Sequence, residues 1–331
     1  MRINKGKGIL IWGGGTTTAV RMQWFKKNYN VIAIVKKDVN FLAEVYGIKS
    51  ILKEEIKNLE YDYVLISAIE EYVKPILSEI EELGINEDKI LTLSDLEEEN
   101  GVNIYTDEMV SRQLEVIKEI LTASDDEIAD FYWMRERILR YGIFPFGYGW
   151  CNDEKTNYNL YGLQQIPAEF TDFCISISNL KVKTAMEIGV YRGRSSYFIS
   201  AILSRKNPDL VYSMVDIEDR LDNFEKFNEL LLCLKKCIPS SSKDYIGKEY
   251  DFVFIDADHS YDNSIADYNN VGQYSKVMTA FHDIYAREYD HENGGTVRMW
   301  LEVMERTQGQ YHRIFSVYPD KWMGIGAVYK V

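Results

Sequence analysis

The stretch AMEIGVYRGRSS, residues 185–196, decides the fold of the C-terminal half of this chain. A β-rich run reaches Glu187, and a turn with glycine at Gly189 and Gly193 leads into the helical pattern SYFISAIL. A strand that enters a helix through a glycine turn begins a βαβ unit. Glycine at these positions also lets the backbone approach a ligand closely. The sequence therefore predicts an α/β domain with a ligand at this turn.

Strand and helix patterns continue to alternate after the turn. The β-rich runs are LVYSMVD, DFVFID and KVMTAFHD, and helical patterns lie at FEKFNELLLCLKK and NSIADYNNV. Alternating βα units are typical of a parallel sheet. The last segments, HRIFSVYP and IGAVYKV, predict a terminal β-hairpin. We expect this α/β domain to cover residues 148–331.

A smaller α/β Rossmann-like domain is predicted at residues 1–98. The runs GILIW, VIAIV, YVLIS and KILTL alternate there with amphipathic stretches such as VKPILSEIEELG. The first strand enters the turn Gly13–Thr18, which either meets a phosphate through backbone N–H groups or is a tight turn without a ligand. The segment loosely resembles the N-terminal domain of bacterial sugar acyltransferases, which bind nucleotide-sugars. The resemblance rests on pattern.

Residues 99–147 are predicted to be a helical connector. Apolar residues recur at three- and four-residue intervals from Thr106 to Arg140, as on one face of a helix. The segment YGIFPFGYGWCNDEKTNYNLYGL follows, dense in aromatic residues and glycine. We expect this segment to be either a lid over a pocket or packing between the domains.

Composition excludes several classes of protein. A chain of 331 residues is long enough for two domains, and its formal charge of −14 would repel a nucleic-acid backbone. No apolar run reaches the roughly 18 residues of a membrane span. The apolar run near the N-terminus enters a glycine turn and is read as a strand, not as a signal peptide. We expect no nucleic-acid partner and no membrane insertion.

The cysteines favour a reducing cytoplasm. Cys151, Cys174, Cys233 and Cys237 are too sparse for a disulfide framework and form no C-x-x-C pair. Cys233 and Cys237 are expected to be buried thiols on one helical face, because no further Cys or His pair accompanies them as metal ligands.

The glycine turn resembles a cofactor motif. Glu187-Ile188-Gly189-Val190-Tyr191-Arg192-Gly193 is similar to the E/D-x-G-x-x-x-G motif of class I S-adenosylmethionine-dependent methyltransferases, whose mixed seven-stranded sheet also ends in a hairpin. The resemblance implies that Glu187, Gly189 and Gly193 bind S-adenosylmethionine and that Asp216, after LVYSMV, holds the ribose hydroxyls. CIPSSSKDY departs from the family where an adenine contact is usual, so the adenine-binding residues stay open.

Two further strand ends carry acidic residues and histidines. Asp256 and His259 lie in FVFIDADHSYDNS, and His282 and Asp283 lie in TAFHDIY. Carboxylates at the ends of neighbouring strands suit Mg²⁺. Both segments resemble metal-dependent O-methyltransferases, including macrolide sugar methyltransferases and the family named for cephalosporin hydroxylase, over about residues 160–331.

This second resemblance assigns roles to the four residues. It implies that Asp256, His282 and Asp283 bind the metal, with His282 at a position where relatives often have an acidic or amide ligand. His259 matches the position of a general base, which suits an imidazole whose ordinary pKa is near 6.5. The alternative for His259 is a hydrogen-bonded turn residue, and for the pair His282-Asp283 a helix cap.

The leading hypothesis is an O-methyltransferase that uses S-adenosylmethionine and Mg²⁺ on a hydroxyl of a sugar, glycan precursor or natural product. One alternative is an NAD(P)-dependent nucleotide-sugar enzyme acting through Gly13–Gly15, although no Tyr-x-x-x-Lys pair follows in that domain. The other is a noncatalytic nucleotide-sugar-binding protein. A monomer and a homo-oligomer are both compatible with the sequence.

Overall fold

The computed structural model describes residues 6–19, 21–36, 44–45, 47–68, 70–93, 95–96, 107–144, 161–317 and 322–330. The chain divides into two compact units, Met1–Thr106 with Gly142–Gly162 and Asp107–Tyr141 with Leu163–Val331. The predicted boundaries at 98/99 and 147/148 lie outside the described residues, as does most of the aromatic segment that we interpret as a lid or packing. That division of the chain stays a prediction.

The first unit contains a six-stranded sheet. Its elements are β1 (Gly8–Trp12), α1 (Thr16–Ala19), α2 (Met22–Asn28), β2 (Asn30–Lys36), β3 (Glu44–Val45), β4 (Ile48–Leu52), β5 (Tyr63–Ile66), α3 (Glu70–Glu82) and β6 (Ile90–Thr92). The strand order is β3-β4-β2-β1-β5-β6, and every pair is parallel except β3 with β4. Both faces are apolar, since Ile9 and Ile34 pack with Phe25 while Leu10 and Val35 belong to a second cluster. The predicted smaller Rossmann-like domain is confirmed.

The second unit contains a seven-stranded sheet with helices. Its helices are α4 (Asp107–Thr122), α5 (Asp125–Ala129), α6 (Phe131–Tyr141), α7 (Pro167–Ile177), α8 (Arg194–Ser204), α9 (Phe224–Leu231), α10 (Tyr261–Asn270) and α11 (Gly295–Arg306). Its strands are β7 (Thr184–Ile188), β8 (Val211–Val215), β9 (Leu234–Cys237), β10 (Phe252–Ile255), β11 (Met278–Phe281), β12 (Tyr311–Phe315) and β13 (Ile325–Tyr329). None of the helices that the structure describes is long and apolar enough to cross a membrane.

The sheet of the second unit is mixed. Its order is β12-β13-β11-β10-β7-β8-β9, in which β13 runs antiparallel to both of its neighbours and the other pairs are parallel. The prediction of an α/β fold with a mixed seven-stranded sheet and a terminal hairpin is confirmed.

Helices α4 to α6 pack within the second unit. The apolar stripe of α4 is buried, and Gln113 Nε2 donates to the carbonyl oxygen of Tyr141 at 3.1 Å. Tyr141 is itself buried, and its hydroxyl donates to the carbonyl oxygen of Arg194 at 3.4 Å. Over residues 107–141 the segment predicted as a connector therefore packs on the start of α8.

One predicted helix is too long. FEKFNELLLCLKK is helical only to Leu231, because Leu232 has a φ of +56° and β9 begins at Leu234. The expectation that Cys233 and Cys237 share a helical face is wrong, since Cys237 ends β9. An apolar run such as LLLCL has no periodicity that distinguishes a helix from a strand. Residues Leu234–Cys237 form a strand because they pair with β8.

The strand order fixes where a ligand can bind. From β7 the chain builds outward through β8 and β9, and it then returns to the other side of β7 with β10 and β11. Ligands of open α/β sheets bind outside the carboxyl ends of the strands where the order reverses. Here that crevice lies at the ends of β7 and β10.

Candidate active site

The glycine turn after β7 packs directly against the turn after β10. Gly189 and Gly193 have φ values of +88° and +82°. A Cβ at Gly189 would lie 2.1 Å from the carbonyl oxygen of Asp256, and one at Gly193 would lie 2.7 Å from the ring of Tyr197. Both glycines are therefore required by the packing of the protein itself, before any ligand is considered.

Glu187 lies beneath this turn and is fully buried. Its two carboxyl oxygens accept hydrogen bonds from the hydroxyls of Ser195, at 2.5 Å, and Tyr212, at 2.7 Å. Burial raises the pKa of Glu187 to about 7, although these hydrogen bonds oppose the change. In this arrangement Glu187 ties the start of α8 to β8.

Asp216 connects the glycine turn with the turn after β8. One carboxylate oxygen accepts from the backbone N–H of Tyr191 at 2.8 Å, and the other accepts from that of Glu218 at 3.2 Å. The next residue, Ile217, is 76% exposed. Ile217 is not among the site residues predicted from the sequence, although an apolar residue directly after the strand-end acid was the available signal.

The ends of β10 and β11 bring the predicted metal and base residues together. Ile255 pairs with Phe281 in parallel register, so Asp256 and the pair His282-Asp283 emerge at one edge. Asp256, His259 and Asp283 each offer a ligand atom, and these three atoms lie within 4.8 Å of one another. We refer to Asp256, His259, His282 and Asp283 as the acid–histidine cluster. Two carboxylates and an imidazole at this spacing can hold a divalent cation.

His282 lies between the two carboxylates. Its Nδ1 is 3.3 Å from Asp256 Oδ1 and 3.1 Å from Asp283 Oδ2. By hydrogen-bond criteria, neither ring nitrogen of His282 has a partner in the part of the chain that the structure describes. Burial opposes a charge on the imidazole, but Asp256 and Asp283 raise the pKa of His282 well above its ordinary value.

His259 is paired with Asp283. Its Nε2 lies 2.8 Å from Asp283 Oδ2, and its ring centroid lies 4.3 Å from that of Tyr289. Burial opposes the charged imidazole, but Asp283 raises the pKa of His259 above its ordinary value. Burial also works against the charge on Asp283, yet His282 and His259 hold the pKa of that carboxyl below its usual range.

The backbone at Asp283 is fixed in an unusual conformation. Asp283 has a φ of +59°, in the left-handed region, and its carbonyl oxygen accepts from the hydroxyl of Thr296 at 2.6 Å. Strain of this kind is commonly kept where a side chain has a specific task.

Gln165 joins the cluster without any signal in the sequence. It lies just before α7, is 2% exposed, and its Nε2 donates to Asp256 Oδ2 at 3.4 Å. Its Oε1 is buried and has no hydrogen-bond partner among the described residues. No motif surrounds it, and 91 positions separate it from Asp256.

Two family models match this chain. Residues 5–91 match the model described as C2185-like, N-terminal, and residues 186–284 match the model described as Methyltransferase domain. Residues 186–284 of the second unit are thus similar to a methyltransferase domain. The matched segment contains Gly189, Gly193, Asp216 and the acid–histidine cluster, and the prediction of a class I S-adenosylmethionine-dependent methyltransferase is confirmed.

Several solved structures are similar in fold. The O-methyltransferase TomG from Streptomyces achromogenes, in complex with SAM, is 13% identical over 50% of this chain and 81% of its own, with a TM-score of 0.38. The O-methyltransferase from Bacillus cereus, in complex with SAH, is 13% identical over 67% and 100%, with a TM-score of 0.39. The SAH-bound Podospora anserina methyltransferase PaMTH1 is 12% identical over 69% and 98%, with a TM-score of 0.39. No curated protein matches this chain significantly.

Proposed function

We propose that the second unit transfers the methyl group of S-adenosylmethionine to a hydroxyl of a sugar, glycan precursor or natural product, with the help of Mg²⁺. The observation that carries this proposal is the contact between Gly189 and Asp256, since it joins the glycine turn to the acid–histidine cluster. A methyl donor and an activated hydroxyl must lie side by side, and the close approach of Gly189 to Asp256 supports this assignment.

The residues at the ends of β7 and β8 fit the cofactor. The carboxylate of Asp216 has lone pairs beyond its two backbone bonds with which to accept from ribose hydroxyls. The exposed side chain of Ile217 offers an apolar surface for the adenine ring. Glu187 acts on this site from below, through Ser195 and Tyr212. When bound, S-adenosylmethionine supplies an electrophilic methyl group, which these residues orient.

The acid–histidine cluster fits a hard divalent cation. Asp256 and Asp283 provide carboxylate oxygens, the ligands that Mg²⁺ prefers. The buried polar atoms without hydrogen-bond partners, on His282 and Gln165, lie around the same carboxylates. Buried polar atoms normally have partners, so their orphaned state is what a missing ion or water would leave. Bound there, Mg²⁺ would polarise the acceptor hydroxyl.

We assign the removal of the hydroxyl proton to His259. Because its Nε2 is held by Asp283, Nδ1 is the nitrogen that would receive the proton. The neighbouring ring of Tyr289 restricts the rotation of the imidazole. A carboxylate behind a histidine stabilises the imidazolium that forms when the proton is taken up. A positioned base of this kind contributes roughly 10²- to 10⁴-fold to the rate.

The wider setting of the enzyme is also part of the proposal. We infer a cytoplasmic protein, since Cys174 and Cys233 are buried free thiols and Cys237 is a partly buried one. The acceptor is a small molecule, because a chain with a charge of −14 does not attract nucleic acid. We keep the division into residues 1–98, 99–147 and 148–331 as the proposed domain organisation.

A first experiment compares the three functional hypotheses. S-adenosylmethionine, NAD⁺ and a nucleotide-sugar are each added to the full-length protein, and the melting temperature is measured. A ligand that binds only the native state raises it. We expect S-adenosylmethionine to stabilise the protein. Stabilisation by NAD⁺ alone would favour the oxidoreductase alternative and refute this proposal.

A second experiment separates the cation from the base. Methyl transfer from labelled S-adenosylmethionine to a panel of sugar and polyol acceptors is followed with Mg²⁺ and with EDTA. Asp283→Asn should weaken Mg²⁺ binding more than cofactor binding. The His259→Ala variant should still bind Mg²⁺ and S-adenosylmethionine, but it should transfer the methyl group roughly 10²- to 10⁴-fold more slowly. The control is His312→Ala, on the outer strand β12, which should leave the rate unchanged. A rate indifferent to EDTA would remove Mg²⁺ from the mechanism, and an unchanged His259→Ala rate would remove the base.

A further inference from the structure

We propose that Gln165 is a further residue of the cation site, in which its amide N–H positions Asp256 and its carbonyl oxygen is a neutral ligand. This inference rests on the proposed function, since it assigns a new residue to the same cation. Gln165 lies outside the segment 186–284 that matches the methyltransferase model.

The position of Gln165 is rigidly determined. Its neighbours Leu163 and Ile166 are 0% and 5% exposed, and the carbonyl oxygen of Ile166 accepts the backbone N–H of Phe170 in the first turn of α7. Pro167 begins α7, and its ring fixes the backbone there. The segment therefore presents Gln165 from an anchored backbone, as a ligand residue requires.

The two ends of the amide differ in their contacts. Nε2 donates to Asp256 Oδ2 at 3.4 Å, whereas Oε1 is buried and has no hydrogen-bond partner in the described part of the chain. Leaving a buried carbonyl oxygen without a partner is energetically unfavourable. Only 2% of the surface of Gln165 is exposed, so bulk water cannot act as the missing hydrogen-bond partner.

A cation at Asp256 accounts for both ends of the amide. The N–H of Gln165 donates to Oδ2 of Asp256, so Oδ1, which lies 3.3 Å from His282 Nδ1, would remain available to a cation. Amide oxygens are ordinary ligands of hard cations, and they add no charge to a site that already has two carboxylates. A residue that only fills space does not require an amide group. Replacing the amide with an apolar side chain of the same length therefore distinguishes a cation ligand from a packing residue.

The test measures cation affinity rather than activity. Mn²⁺, a spectroscopic substitute for Mg²⁺, is titrated into EDTA-treated full-length protein and followed by electron paramagnetic resonance, with Mg²⁺ as competitor. Gln165→Met keeps the length of the side chain but removes both polar atoms, and Gln165→Glu keeps an oxygen but removes the N–H donor. The matched control is Gln164→Met, because Gln164 is the exposed neighbour.

We expect Gln165→Met to weaken Mn²⁺ binding by about 10- to 100-fold, which is the usual loss when a residue that hydrogen-bonds to a metal ligand is replaced. Gln165→Glu keeps an oxygen ligand but loses the N–H that positions Asp256, so it should bind Mn²⁺ more weakly than the wild type and more tightly than Gln165→Met. Gln164→Met should bind as the wild type does. The melting temperature without metal verifies that each variant folds. Wild-type affinity in Gln165→Met would overturn the inference while leaving the cation in place. If the wild type itself binds no Mn²⁺ at the cluster, the proposed cation and this role for Gln165 both fail.

Discussion

The replacement Glu187→Gln tests whether the buried carboxyl group beneath the proposed cofactor site changes its charge near neutral pH. Burial raises the pKa of Glu187 from 4.5 to about 7 in the folded protein. In the unfolded chain the group is in water and keeps its ordinary value. The folded state therefore binds the proton more tightly. The contribution of Glu187 to the free energy of unfolding is therefore fully present below about pH 4.5 and is lost as the pH rises through about 7.

The size of the effect follows from the two pKa values. They differ by roughly 2.5, and each pKa unit corresponds to about 1.4 kcal/mol, so deprotonation costs the folded state about 3 kcal/mol. Glutamine has nearly the same shape and cannot ionise. Between pH 5 and pH 8, wild-type protein should therefore lose about 2–3 kcal/mol more stability than Glu187→Gln does.

The assay must report on the second unit alone. Hydrogen exchange of the strand Thr184–Ile188 is measured by mass spectrometry across urea concentrations at pH 5 and pH 8, for wild type and Glu187→Gln. Burial also raises the pKa of Asp267, to about 6, but that group is present in both proteins and its effect cancels. Exposed Glu229→Gln is the control. Identical pH dependence in wild type and Glu187→Gln would refute the reasoning.

Three more substitutions test the cofactor end of the site. Gly189→Ala should destabilise the second unit by more than about 1–2 kcal/mol, since φ is +88° and the new Cβ meets the carbonyl of Asp256; an unchanged melting temperature would contradict this. Asp216→Asn should weaken S-adenosylmethionine binding about tenfold, because hydrogen bonds to a charged acceptor are the stronger ones, and undiminished affinity in calorimetry would exclude the ribose contact. Ile217→Ser should weaken binding of S-adenosylhomocysteine severalfold without changing stability, because its side chain is 76% exposed; equal affinity would place the adenine elsewhere.

The sheet of the second unit could be predicted because buried parallel strands have a distinct sequence. DFVFID and KVMTAFHD are continuous apolar runs that end in acids, and they correspond to Phe252–Ile255 and Met278–Phe281. The strand Leu234–Cys237 could not be predicted in the same way. Two lysines interrupt it, and it lies at the edge of the sheet, so its assignment depends on β8 as a partner.

The residues of the candidate site that lie at the carboxyl ends of strands could be predicted from the sequence. Acids and glycines after β7, β8, β10 and β11 converge because parallel strands end at one edge. What each residue contacts was not predictable. The donors to Glu187 come from Ser195 and Tyr212, and Gln165 reaches Asp256 from outside the alternating units. Such contacts depend on tertiary packing, which no local pattern records.

Four carboxyl groups lie near the carboxyl ends of four neighbouring strands, Glu187 within β7 and the other three after β8, β10 and β11, and their surroundings differ. Glu187 is buried with a raised pKa, which favours its neutral form, whereas Asp216 accepts hydrogen bonds from two backbone N–H groups. Asp256 and Asp283 share His282 between them, and Asp283 also holds His259. Like charges this close repel unless cations separate them. Although burial opposes it, the carboxylates raise the pKa of both His282 and His259, and the same concentration of negative charge is the physical basis for our proposal of a divalent cation at this site.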